Sequence, residues 1–543
     1  CGLKLFPLHS NSNLSAMLSS KSFLFFALFI ITLSVFGQDY DLIISGGKII
    51  DGSGNSWFYG DVGIKDGKVV AVGKVKGQAA KTLNVSGLIV APGFIDVHTH
   101  IEGNDLKVPT ATNFLYDGVT SVITGNCGGS NTDIAHYFFQ LDSIKTGINV
   151  ATLVGHNSVR RAIMGESQRD PTADEQTKME ALVGKAMQEG AVGFSTGLIY
   201  VPGTYSKTSE VIGLAKASSQ YSGVYASHIR NEADDVSEAI EEAVNIGRTA
   251  KMPVEISHFK VTYKPNWGRS QSIIDQVEKA RLEGIDVTID QYPYVASSTT
   301  LNTVLPTWAF SGGTDSLQYR LKEPSIRKKI KEEMLSTLKQ KQLKRYAYAV
   351  VARYGADTLM NCKNISEINT IKGRKPNGSE EAETIMEMVS NGSAQMIFFS
   401  IDEKDLRNIM QYPYNMFASD AGIIKYGSGV PHPRGYGTNA RVLGQYVREA
   451  KVIRMEEAIR RMTSLPAQKF RLRDRGLIRE GMAADLVIFD EKTVGDKSTF
   501  TQPHAYSTGF RHVIVNGKTV IEDGLLTGTR SGTVLYGPGY TGK

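Results

Sequence analysis

Cysteine is scarce in this chain: three residues in 543 cannot build a disulfide framework. Proline is also sparse, with 17 residues against 54 glycines, which excludes collagen-like and proline-linker architectures and fits many tight turns between short elements. No charge of one sign dominates. The 61 basic side chains face 55 acidic ones for a formal charge of +6, and without a long basic block nucleic acid is not the expected partner. With 41% hydrophobic and 21% charged residues, global disorder is excluded as well. Long apolar runs are missing: the stretch Phe23 to Val35 holds 13 residues, with Thr32 and Ser34 as its only polar members, whereas a membrane-spanning helix needs about 20.

That stretch reads as the core of an export signal. Met17 is the first methionine, Lys21 supplies the positive flank, and Val35 and Gly37 are small residues ahead of a cut at Gln38. No cysteine follows the core, which argues against a lipid anchor. Cleavage removes Lys4 and Lys21 and no acid, taking the charge from +6 to +4. The expectation is an exported, periplasmic protein, with residues 1–37 removed and no stable membrane anchor afterwards.

Short strand-like runs separated by glycine-rich turns occupy residues 38–91 and return in 481–543, with a turn at Asn516-Gly517. Two such distant segments predict one small β-sandwich built from both chain ends. Between them apolar strands alternate with helical stretches, the pattern of βα units on a parallel sheet. Eight strands are expected: Phe94–His100, Thr120–Cys127, Asn149–His156, Ala191–Leu198, Val224–Arg230, Val254–Lys260, Asp286–Tyr294 and Asn415–Asp420. A capping box, Thr172 with Glu175, starts the clearest intervening helix. Eight units predict a (β/α)8 TIM-type barrel over 92–480. The long interval before Asn415 predicts an inserted subdomain between strands seven and eight, roughly 303–395. Within it, Lys322 to Arg345 is basic but interrupted by Glu323, Glu332 and Glu333, as expected of a solvated helix.

In such a barrel function sits at the C-terminal strand ends, and polar residues fall there. Strand one ends His98-Thr99-His100, whose imidazoles point the same way if the strand alternation holds. Strand two brings Cys127, strand five His228, strand six His258 and strand eight Asp420. One histidine at a strand end is more often structural than a ligand, but ligands at four strand ends and an acid at a fifth, all at one level, reverse that judgement. Thiolate with imidazole suits zinc. His156 stands even between a structural and a supporting role; His136, His432, His504 and His512 read as structural or exposed, and Cys362 as a buried thiol.

The stretch Pro92-Gly-Phe-Ile-Asp-Val-His-Thr-His100, with Asp420 and the two β segments, resembles the amidohydrolase superfamily. The stretches Gly125-Asn-Cys-Gly128, Gly193-Phe-Ser-Thr-Gly-Leu198, Ser227-His-Ile-Arg-Asn-Glu232, Ile256-Ser-His-Phe-Lys260, Asp290-Gln-Tyr-Pro-Tyr294 and Pro431-His-Pro-Arg434 resemble its N-acyl-D-amino-acid deacylases, over about Asp41 to Gly524. The resemblance implies one tight zinc on Cys127, His228 and His258, and a second, weaker position near His98, His100 and Asp420. It also implies contacts to the substrate carboxylate from Lys260, Tyr292, Ser298 and Arg434, residue types suited to an anion. Many superfamily members carry a carbamylated lysine on strand four, where this chain has none.

The activity so implied is zinc-dependent hydrolysis of the amide of a small N-acyl-D-amino acid, with zinc lowering the pKa of its water to about 7 and Asp420 as general base and acid. Enantiomer preference rests on the resemblance alone. Cyclic-amide hydrolysis of the dihydropyrimidinase type and dipeptide hydrolysis are the alternatives within the superfamily, the first weakened by the missing lysine. A noncatalytic binding protein is expected to have lost an essential group, and none is missing. A glycosidase barrel wants paired carboxylates, whereas this mouth is rich in histidine with one clear acid.

Overall fold

Side chains alternating along eight short parallel strands build the centre of the molecule. The computed structural model describes residues 39–542, so the expected export signal lies outside the described residues. Five strands come first: β1 (Tyr40–Ile49), β2 (Phe58–Lys65), β3 (Lys68–Gly73), β4 (Ala79–Asn84) and β5 (Ile89–Pro92). The barrel begins with β6 (Phe94–Asp96), β7 (Val119–Thr124), β8 (Asn149–Gly155), β9 (Gly193–Gly197), β10 (Val224–His228), β11 (Val254–Ile256) and β12 (Val287–Gln291). An insertion supplies β13 (Ala296–Thr300), β14 (Ala349–Arg353) and β15 (Gln395–Phe399) before β16 (Asn415–Phe417) completes the barrel. The chain ends with β17 (Leu486–Phe489), β18 (Phe510–Val515), β19 (Lys518–Glu522) and β20 (Leu525–Leu526).

The barrel strands are hydrogen-bonded in the order β6-β7-β8-β9-β10-β11-β12-β16. Ile95, Ile123, Leu153, Val224, Ala226 and Met416 fill its interior, while the alternate Phe94, Val122, Val154, Tyr225 and Phe417 pack outward with the surrounding helices. Both faces are therefore buried, as parallel strands require, and each large apolar side chain so enclosed contributes about 1.5–3 kcal/mol. The expected helix forms at Ala173–Gln188 with both bonds of the Thr172–Glu175 capping box, burying Met179, Val183 and Met187. The ring closes between the ends of β6 and β16: Asp420 N–H donates to the His98 carbonyl and His100 N–H to that of Ala421, each at 2.9 Å. Barrel closure and the histidine-rich end thus coincide.

Both chain ends share a nine-stranded sheet, joined where β5 pairs antiparallel with β17. Val69 N–H donates to the Met482 carbonyl and Ala484 N–H to that of Gly67, so the sheet curls over a core that includes Leu42, Ile64, Leu486 and Ile514. Asn516 (φ 47) and Gly517 (φ 76) form the two-residue turn between β18 and β19, where a tight hairpin needs both residues left-handed. The last residues leave this sheet. Leu535 N–H donates to the Val150 carbonyl and Gly537 N–H to that of Gly190, closing the lower end of the barrel.

The insertion makes an antiparallel sheet in the order β13-β15-β14, over its own core with Leu301, Leu321, Ile330, Met334 and Ile385. In chain order its first and last strands, β13 and β15, lie at the two edges of the expected 303–395 span, and β14 falls within it. The basic stretch contains the helix Pro324–Gln340, which buries Ile330, Met334 and Leu338. Cys362, expected to be buried, is exposed: it lies in a turn at φ 67, outside any packed face. No helix among the described residues is long and apolar enough to cross a membrane.

Candidate metal centre

Regular strand pairing stops before the polar residues do. The strands end at Asp96, Thr124, His228, Ile256 and Phe417, so His98, His100, Cys127, His258 and Asp420 sit on irregular segments just beyond. Cys127 (φ 51), His258 (φ 37) and Asp420 (φ 50) are left-handed. Residues other than glycine seldom adopt this region, and such strain, about 1–3 kcal/mol each, collects at functional sites. Gly125 (φ 76) and Gly128 (φ 75) flank Cys127; a Cβ at the first would strike the Leu153 carbonyl and at the second the Asn157 amide. The alternation expected to aim His98 and His100 together ends before them. They meet through a shared partner instead, their Nε2 atoms lying 3.6 and 3.1 Å from Asp420 Oδ1.

Cys127 Sγ lies 3.4 Å from His228 Nδ1, 3.7 Å from His258 Nε2 and 3.3 Å from His98 Nε2. Donors around one tetrahedral zinc stand about 3.5 Å apart, close to these sulfur–nitrogen separations; His228 Nδ1 and His258 Nε2 are nearer, at 2.7 Å. His98, His100 and Asp420 converge as a second group, so Cys127 stands between the two. The outer ring nitrogens are also provided for. His98 Nδ1 meets Asp290 Oδ2 at 3.2 Å and His258 Nδ1 meets Glu232 Oε1 at 2.9 Å, the carboxylate support that orients ligating histidines. Asp290 accepts the His258 backbone N–H as well, at 2.9 Å. His228 Nε2 is buried without a hydrogen-bond partner, 3.9 Å from Glu232.

Opposite charges within this cluster set one another's protonation. Burial by itself raises the Cys127 thiol, but His98 and then His228 outweigh it and hold the group well below its usual value. Burial likewise raises Asp420, and Arg434 followed by His98 reverses this, keeping the carboxylate ionised. Glu232 is pulled down against burial by Lys260 and His258. Beneath them, Glu255 is driven well above the carboxylate range by burial and then by Asp290, so one proton serves two adjacent carboxyls.

The match to known proteins is extensive. A model of the Amidohydrolase family covers residues 81–303 and 406–521, more than half of the chain. The chain belongs to the amidohydrolase family. The unmatched interval of this amidohydrolase spans most of its insertion. An N-acyl-D-glutamate deacylase of Alcaligenes xylosoxydans xylosoxydans is 35% identical over 506 residues, covering 89% of this chain and 94% of that protein. A D-aminoacylase of the same organism is 33% identical over 522 residues, covering 92% and 98%. The crystal structure of an N-acyl-D-glutamate deacylase from Bordetella bronchiseptica, complexed with zinc and a phosphonate mimic of the tetrahedral intermediate, matches with a TM-score of 0.77 at 34% identity, covering 92% and 99%. This amidohydrolase therefore lies in the N-acyl-D-amino-acid deacylase branch.

The amidohydrolase gathers Lys260, Tyr292, Ser298 and Arg434 beside the centre, with their polar ends unequally free. Arg434 lies 4.6 Å and Lys260 5.7 Å from the Tyr292 ring centroid. Arg434 Nη1 is 2.8 Å from Asp420 Oδ2, and Lys260 Nζ donates to Glu232 and to the His258 carbonyl. Ser298 donates its hydroxyl to the Met396 carbonyl at 2.8 Å and offers Arg434 only its carbonyl, at 3.3 Å. The Tyr292 hydroxyl is buried and unpartnered. His156 opens a helix and bonds Glu210 at 2.9 Å, which makes it scaffold, while His432 braces the loop by accepting the Arg434 N–H at 3.0 Å. Glu232 and Asp290 stand inside motifs singled out above but had no role assigned there; the available signals were the i+4 position after His228 and the inward side of strand seven. Tyr200, whose ring packs 4.8 Å from that of His228, gave no sequence signal.

Proposed function

We propose that this protein is a zinc-dependent deacylase, hydrolysing the amide of an N-acyl-D-amino acid to a carboxylate and a free D-amino acid. The observation that carries the reading is the convergence of Cys127, His228 and His258, with Glu232 on the outer nitrogen of His258 and His98 joining the trio to the Asp420–Arg434 pair. One sulfur with two imidazoles is a donor set that fits zinc, and His98, His100 and Asp420 would hold a second ion. Bound zinc supplies an activated water near neutral pH and polarises the scissile carbonyl. Asp420, held ionised by Arg434, accepts the proton of the attacking water and returns it to the leaving nitrogen. Arg434 and the unpartnered Tyr292 hydroxyl receive the α-carboxylate, a charge-assisted contact that fixes the amino acid. Preference for the D series is supported by the relatives, which are named for D-amino acids. Export is part of the proposal and rests on the apolar stretch from Phe23 to Val35.

Metal analysis of the purified protein, paired with amine release from matched N-acetyl-D- and N-acetyl-L-amino acids, tests the reading. About one equivalent of zinc and chelator-sensitive release confined to the D series are expected. Metal-free protein with unchanged activity, or equal release from the L series, would sink it.

A further inference from the structure

A cavity of about 650 Å³ opens between the barrel mouth and the insertion, within the size range of small-molecule sites. Its inner wall includes Tyr200 and Glu232, which touch His228 and His258. None of Cys127, His228, His258, Asp420, Arg434 and Tyr292 lines it directly, so Tyr200 and Glu232 are what join the cavity to the centre. That placement orients the substrate of the deacylase reading, on which this inference rests. The leaving nitrogen faces Asp420 and the α-carboxylate faces Arg434, so the acyl group extends from the carbonyl carbon toward the His228 and His258 side, where the cavity lies. Such a space far exceeds what an acetyl group fills.

The wall also carries a charge without a counter-charge. Of the charged residues lining the cavity, Arg161 pairs with Glu166, Arg230 with Glu242 and Glu232 with Lys260. Lys341, at the end of the insertion helix Pro324–Gln340, has no carboxylate at ion-pair distance among the described residues. Its ammonium is instead held in place by the Tyr263 hydroxyl at 3.0 Å and lies 4.1 Å from the Tyr263 ring centroid and 5.9 Å from that of Tyr348. A cation preorganised by hydroxyl and ring contacts on an otherwise neutralised wall is a receptor for an anion. We propose that the cavity is an acyl subsite and that Lys341 selects acyl groups with a carboxylate at their far end, as in the mono-amides of dicarboxylic acids.

The test compares N-acetyl-D-leucine, N-succinyl-D-leucine and N-acetyl-D-glutamate as substrates of the zinc-loaded wild type, Lys341→Met and Lys341→Arg. The expected result is a wild-type preference for the succinyl over the acetyl substrate. Lys341→Met should reduce that preference by about tenfold or more, through KM, and Lys341→Arg should recover part of it. Equal losses on all three substrates, or no loss on any, would overturn the subsite. A loss confined to N-acetyl-D-glutamate would overturn the acyl assignment, because the anion would then belong to the amino-acid side chain. If the wild type releases amine from none of the three, the deacylase reading falls and takes the subsite with it; release from N-acetyl-D-leucine with no succinyl preference removes the subsite alone.

Discussion

Asp420 faces two ways. Its Oδ1 lies beside His98 and His100, and its Oδ2 beside Arg434, so one carboxylate links the candidate metal ligands to the proposed carboxylate contact. Asp420→Asn keeps the shape but removes the charge and the capacity to take a proton. The expected outcome is a fall in kcat by about a hundredfold to ten-thousandfold with zinc retained on Cys127, His228 and His258, checked by steady-state kinetics and metal analysis on one preparation. Near-normal kcat would refute the proton-transfer role. His98, Cys127, His228, His258 and Asp420 were legible in the sequence because each couples a ligand-type side chain to a strand end. Glu232 and Asp290 were not legible in their roles. Each acts on a ring that belongs to another strand or has its direction set by the loop after one, and no spacing rule reports which nitrogen a carboxylate will reach.

At the level of elements, local signals and packing divide the work. The helix Ala173–Gln188 follows from its own residues, with Thr172 and Glu175 closing the first turn and an apolar stripe facing the barrel. Thr172→Ala is expected to cost about 1 kcal/mol, read from the denaturation midpoint, with kcat/KM unchanged because the cap lies away from the centre. The strand ends behave otherwise. Period-two alternation predicted a common direction for His98 and His100, but pairing in β6 stops at Asp96, and the left-handed turns at Cys127, His258 and Asp420 are imposed by what they must meet. Ser298 shows the same limit. The family resemblance implied a contact from it to the substrate carboxylate; β13 belongs to the insertion sheet, and in its pairing with β15 the hydroxyl donates to the Met396 carbonyl.

Across the whole molecule, the barrel has a polar mouth and a closed lower end. Lys469 is enclosed at that lower end, with its ammonium on the Asp286 carbonyl at 2.7 Å, and burial draws it down to about 8 although Asp286 opposes the shift. Between pH 8 and the ordinary lysine value of 10.5 the unfolded chain binds this proton and the folded chain does not, so the group adds stability as pH rises through the window. Lys469→Met removes that dependence. Denaturation of both proteins at pH 7.5 and pH 10.5 should show wild type gaining on the variant by about 3 kcal/mol; a gap that stays constant would refute the depressed lysine. The sequence by itself determined the (β/α)8 barrel, the joining of both chain ends in one sheet, and the residue types at the mouth, because periodicity, turn chemistry and strand-end position are local properties. Only the tertiary structure decided that Cys127 stands within 3.7 Å of a histidine 131 residues away, that Lys260 is engaged by Glu232, and that the insertion brings Lys341 to the cavity. Those outcomes depend on which strand ends become neighbours when the ring closes, and no segment of the chain carries that information alone.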